Sequence, residues 1–163
     1  MLTAVRFLEL LALGLWLGAM IFFAFIVAPA AFAVLPTRQL AGDLVGLVLA
    51  RLHILGLLCA VVYLLSLLIE QRLTGGSLRA VAVPIALVAV ILLLTFAGHY
   101  FLGERMTSLR SEMRAAFGSI DHTPRTHALR VRFNRYHQLS TLLMGTNLVL
   151  LLGLLGISVR RLR

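Results

Sequence analysis

Ala80-Val-Ala-Val-Pro-Ile-Ala-Leu-Val-Ala-Val-Ile-Leu-Leu-Leu-Thr-Phe-Ala-Gly-His-Tyr-Phe-Leu-Gly103 carries no charged residue, and its length decides the fold. A bilayer hydrocarbon core of about 30 Å is crossed by about 20 helical residues rising about 1.5 Å each. Working outward, Leu10–Leu35, Leu52–Ile69 and Gln138–Val159 are uncharged stretches that meet the same requirement. None of them alternates polar with apolar residues, which excludes membrane strands. Helices then remain as the only spanning structure, because every backbone amide in lipid must be paired within the chain.

Composition agrees. The 163 residues are 61% hydrophobic and 13% charged, with a mean hydropathy of +1.01, whereas soluble domains are about a quarter charged. A core of this size could not hide so many Leu, Val, Ile and Phe from water. All 15 basic residues are arginines, against six acids, for a net charge of +9. In a soluble protein that balance would suggest nucleic acid. Here the arginines lie between apolar segments, where they set topology and attract anionic lipid head groups, so no nucleic-acid partner is expected. Cys59 is the sole cysteine, which rules out an intrachain disulfide and paired-thiolate metal capture. The first apolar run is too long for the core of a secretory signal, about 7 to 15 residues, and is expected to stay in the mature protein.

The expected fold is all-α: one integral membrane four-helix bundle with spans near 8–34, 44–70, 79–103 and 137–159. Pro29 and Pro36 mark where the first helix bends and ends. The connection 104–136 is basic but not loop-like. Met106, Leu109, Met113, Phe117 and Ile120 recur at helical spacing, and Leu129, Phe133 and Tyr136 form a second stripe leading into the last span. The third and fourth helices should therefore extend beyond the bilayer, with Gly118 as a break and Thr123-Pro124 as the cap and first position of the fourth. Nine arginines fall on the side holding this connection and six on the other. The positive-inside rule then leans the connection toward the cytoplasm.

Threading the spans puts His53, His99 and His137 at one membrane level. Imidazoles at such depth are costly unless turned inward and partnered, and facing helices of a bundle are where such residues hold metal or haem. Each can equally cap a helix end or bond a nearby carbonyl. No two are at i,i+3 or i,i+4, and the His122/His127 pair is too loosely spaced to count. Arg51, Asp43, Glu104, Arg105 and Arg135 gather near the same face, where they could bind an anionic group, although pairing of Glu104 with one arginine is the simpler account. Along the fourth helix, Asn134, His137, Ser140 or Thr141, Met144 and Asn147 share a face that serves as bundle glue or as a ligand path. Gly14 and Gly18 bracket Trp16 in a Gly-x-x-x-Gly suited to close helix contact, within the bundle or in a homo-oligomer. No phosphate loop, nucleophile elbow or acid pair within a span points to an enzyme.

Leu15–Phe32, Leu35-Pro36, Ala41-Gly42, Arg51-Leu-His53 and above all Phe133-Asn-Arg-Tyr-His-Gln-Leu-Ser140 resemble the transmembrane protein 205-like family, whose bacterial branch is catalogued as domain of unknown function 4149. The resemblance covers nearly the whole chain. It implies a compact four-span protein of the bacterial inner membrane, with Trp16, Gly18, His53, Arg135, Tyr136, His137 and Ser140 in the family pattern and no settled activity. His99 lies outside it, so a His53–His137 pair is expected ahead of a three-histidine site. The resulting expectation is a small ligand or metal bound near one interface. Haem held between the histidines is the first alternative, and a purely structural or partner-binding bundle the second.

Overall fold

The computed structural model describes residues 1–161. Four long helices account for almost all of them: α1 (Leu2–Val34), α2 (Arg38–Thr74), α3 (Leu78–Phe117) and α4 (Ala128–Arg161). No strand occurs among the described residues. Each helix contains a window apolar enough to cross a bilayer, yet only 22% to 39% of each window is buried inside the protein. The remaining Leu, Val, Ile and Phe face outward, Phe25, Leu93, Leu142 and Val149 among them, and hydrocarbon is the solvent that suits them. The chain is an integral membrane protein built as an all-α four-helix bundle.

Local chemistry sets each boundary. In α1, Pro29 lacks an N–H and its ring crowds the carbonyl one turn earlier. The helix answers by widening into a π turn at Phe23–Val27, in which the Ala28 N–H reaches the Phe23 carbonyl. It continues past Pro29 and stops when Leu35, ahead of Pro36, turns extended. Thr37 then caps α2, its hydroxyl accepting from the Leu40 amide at 3.2 Å. As a result α2 begins at Arg38, six residues before the expected span. It ends at Gly75, whose φ of 65° is left-handed and costs glycine little.

Past Gly103, α3 runs on to Phe117 through a second π turn, Gly98–Gly103. The extension has its own core of Leu109, Met113, Ile120 and Phe133, flanked by Met106, Leu129 and Tyr136. Hydrogen exchange in detergent is expected to protect the amides of Met106 to Phe117 nearly as well as those of the spans. Rapid exchange throughout that stretch would show a loop instead.

Thr123-Pro124 does not start α4. The Thr123 hydroxyl donates to the Ser119 carbonyl at 2.9 Å, and the Pro124 carbonyl accepts from the His127 amide at 3.0 Å. These bonds hold a turn, and the capping atom is the His127 Nδ1, which accepts from the Leu129 amide at 3.3 Å.

In the membrane, α1 packs on α2 and α4, and α4 packs on α3, while α2 and α3 touch only sparsely. The core of Trp16, Leu13, Tyr63, Leu67, Ile91 and Leu154 sits where α1 meets the others. Gly14 and Gly18 do not make this packing, so of the two contacts the sequence offered them the one within the bundle is not formed. Both are exposed, and a Cβ at either would meet nothing within 4 Å. The close approach falls on Gly56 of α2, where a Cβ would lie 2.6 Å from the Trp16 Nε1. Trp16 thus faces the helix that carries His53.

Candidate functional site

Because α2 and α3 scarcely meet, a cavity of about 910 Å³ opens among the four helices at the histidine end. Its deeper walls are apolar, with Trp16, Met20, Phe23, Leu92 and Met144. Toward the connection it becomes polar, and His53, His99, His137, Glu104 and Arg110 line it together. The large volume follows from small residues on α2: a Cβ at Gly46, which lines the cavity, would meet nothing within 4 Å.

The structure brings two of the three histidines into contact. His53 Nδ1 and His99 Nδ1 lie 3.3 Å apart, with the rings edge to face at 5.2 Å. One ring donates an N–H to the other, leaving each Nε2 for another partner. The expected direct partner of His53 was His137. That imidazole instead stacks on Phe133, one turn earlier in α4, at 6.3 Å, and lines the shared cavity.

A metal held by these groups would need further donors, since tetrahedral sites take three or four protein ligands. Among the described residues no group of three or more His, Cys, Asp or Glu comes together in a metal-holding arrangement. The Nδ1 atoms of His53 and His99, 3.3 Å apart, leave no room for a porphyrin between those two atoms.

Other expected residues separate in the same way. Asn147 is 5% exposed and donates from Nδ2 to the Thr95 hydroxyl at 3.0 Å, while its Oδ1 is buried without a partner. Ser140 and Thr141 line the cavity. Arg51, Glu104, Arg105 and Arg135 are exposed and Tyr136 is half-buried. The pairing expected of Glu104 belongs to Asp43, which meets Arg110 at 3.3 Å and Arg114 at 4.0 Å. Among the described residues Glu104 forms no ion pair, because the basic side chains that reach α2 come from Arg110 and Arg114, about two and three turns further along α3.

Sequence reasoning missed a charged cluster at the opposite end. Glu70 accepts from Arg6 Nε at 2.8 Å and from Arg161 Nη2 at 2.7 Å. Arg161 also reaches Glu9 Oε1 at 3.4 Å, and Glu9 is wholly buried with Oε2 unpartnered. Beside them, the Tyr63 and Ser158 hydroxyls share a buried bond of 2.9 Å. The available signal was the placement of Arg6, Glu9, Glu70 and Arg161 at one membrane level when the spans are threaded.

Fold and site together define a polytopic membrane bundle with an interhelical cavity. The family model for a domain of unknown function (DUF4149) matches residues 11–115, and the chain belongs to that family. The match stops before Phe133–Ser140, the stretch on which the resemblance leaned most. No curated protein and no solved structure matches the chain.

Proposed function

We propose that this protein binds a small ligand in the cavity at the histidine end of the bundle. The observation that supports the reading is the cavity of about 910 Å³ in which His53, His99 and His137 converge from three helices onto apolar walls. Binding sites are concave, mostly apolar and furnished with a few polar groups, and ionisable groups in a membrane interior mark function by default. The free Nε2 atoms of the histidine pair, His137 and the unpartnered Asn147 Oδ1 offer donors and acceptors at two depths. The likeness of Phe133–Ser140 to transmembrane protein 205-like proteins supports a role for His137 and Ser140, and the arginine balance supports a cytoplasmic placement of this end.

Native mass spectrometry of protein extracted in neutral detergent tests the reading. The wild type is expected to carry a non-covalent adduct that Gly46→Trp, which fills the cavity, excludes. Gly14→Trp, on the outer face, should retain it. His53→Ala and His99→Ala should each reduce occupancy, whereas His122→Ala, in the α3–α4 turn, should not. An adduct-free wild type, or one indifferent to Gly46→Trp, overturns the reading.

A further inference from the structure

We propose that the seam between α2 and α3 takes an anionic amphiphile, with a phosphate or carboxylate head held by Arg110 and Arg114 and a hydrocarbon tail laid in the large cavity. The inference rests on the reading of that cavity as a ligand site and names the ligand's class. A second pocket of about 250 Å³ is lined by Gln39 and Asp43 of α2 and by Thr107, Arg110, Ser111 and Arg114 of α3. It shares Asp43, Thr107 and Arg110 with the large cavity, so the two are neighbouring compartments of one seam. One compartment is lined by polar and charged residues and the other is walled by Met20, Phe23, Leu92 and Met144. A molecule that suits both has a polar end and an apolar end.

Charge selects the sign of the head. Two guanidinium groups face one carboxylate in the small pocket, a surplus of one positive charge. Asp43 holds them loosely, with a 3.3 Å bond from Arg110 and a 4.0 Å ion-pair contact to Arg114, and its side chain is 51% exposed, free to swing aside. Arg110 Nε is buried with no partner, a donor that a ligand oxygen would satisfy. The guanidinium reaches this place because position 42 is glycine, where a Cβ would stand 2.7 Å from Arg110 Nη2. From Arg110 to Leu92 along α3 is about 27 Å at about 1.5 Å per residue, close to the thickness of a bilayer's hydrocarbon core. A tail from one leaflet needs only about half of the ~30 Å core, so a lipid-like chain fits within that length, whereas a compact metabolite would leave most of it empty.

The test uses full-length protein in neutral detergent, with thermal unfolding read against four additives: dodecyl phosphate, dodecanol, inorganic phosphate and phosphatidic acid. Dodecyl phosphate is expected to raise Tm in a concentration-dependent way, and dodecanol and inorganic phosphate are not. Stabilisation by phosphatidic acid as well would identify the bilayer's own lipid as the source, and stabilisation by the single-chain compound alone a free amphiphile. Arg110→Gln should weaken binding of dodecyl phosphate about tenfold through loss of charge-assisted bonds, and Asp43→Asn should strengthen it by removing the competing carboxylate. Both changes break the same ion pair, so shifts in the same direction would show a merely structural role and overturn the proposal. Arg114→Gln, at a side chain 63% exposed, serves in place of Arg110→Gln should that variant not fold. Arg72→Gln, at the other end, should leave binding unchanged. Equal stabilisation by dodecanol would remove the anionic head while leaving the cavity reading intact. Equal stabilisation by inorganic phosphate would remove the tail, and no response to any amphiphile would remove both readings.

Discussion

Glu70→Gln should destabilise the bundle in detergent by about 2–3 kcal/mol, below the full penalty for breaking a buried ion pair because its arginine partners are partly exposed. Glu70 is 3% exposed and is the common acceptor for Arg6 on α1 and Arg161 on α4, at 2.8 and 2.7 Å. Its loss would leave two guanidinium groups facing a buried amide that cannot neutralise them. Glu9→Gln should behave differently although Glu9 is the more deeply buried of the two. Its only contact with Arg161 is 3.4 Å long and its second oxygen has no partner, so the carboxylate gives little back for its desolvation. The expected change there is under about 1 kcal/mol. Thermal or denaturant unfolding of the two variants side by side provides the check, and equal losses would show that the cluster shares its charge evenly between the acids.

The second large effect is expected at Gly56. A Cβ there would stand 2.6 Å from Trp16 Nε1 and 3.0 Å from Cε2. Trp16 is a rigid ring, 4% exposed and wedged into the core, so it cannot fold away as a flexible chain end would. Gly56→Leu should therefore cost about 1–3 kcal/mol in overpacking. Gly18→Leu, which projects into open space, should stay within about 0.5 kcal/mol of the wild type. A larger loss at Gly18 than at Gly56 would mean that the outer face of α1 is covered by a second copy.

These two sites also show what the sequence made legible. Hydropathy and length located four spans because lipid leaves no other spanning structure for uncharged runs such as 80–103. The period of Met106, Leu109 and Met113 revealed the extension of α3, since a helix must repeat its apolar face. Gly14-x-x-x-Gly18 shows that two glycines share a face but not which way it turns, and the rotation of α1 is fixed by Trp16 and Leu13 seeking Gly56 and the core. The common depth of the three histidines was readable by counting, whereas the choice of partner was not. His99 sits inside the π turn Gly98–Gly103, which carries extra chain per turn and shifts the facing of every residue after it away from 3.6-residue bookkeeping. Glu9, Glu70 and Arg161 each look like ordinary flanking charges, and only packing of α1, α2 and α4 makes them neighbours.

The sparse contact between α2 and α3 has a mechanical side. Only residues 75–77 join the end of α2 at Thr74 to the start of α3 at Leu78, so the two helices are tethered at that end whatever happens elsewhere. Any parting of the pair is angular, pivoting about Gly75 and Gly76, with a gape that grows along the helices. His53 lies about 30 Å from the pivot and Asp43 about 45 Å at about 1.5 Å per residue. A tilt of a few degrees would leave Thr74 and Leu78 almost still while drawing the histidine contact apart and the Asp43–Arg110 contact further apart, like a clothes-peg whose jaws carry polar groups.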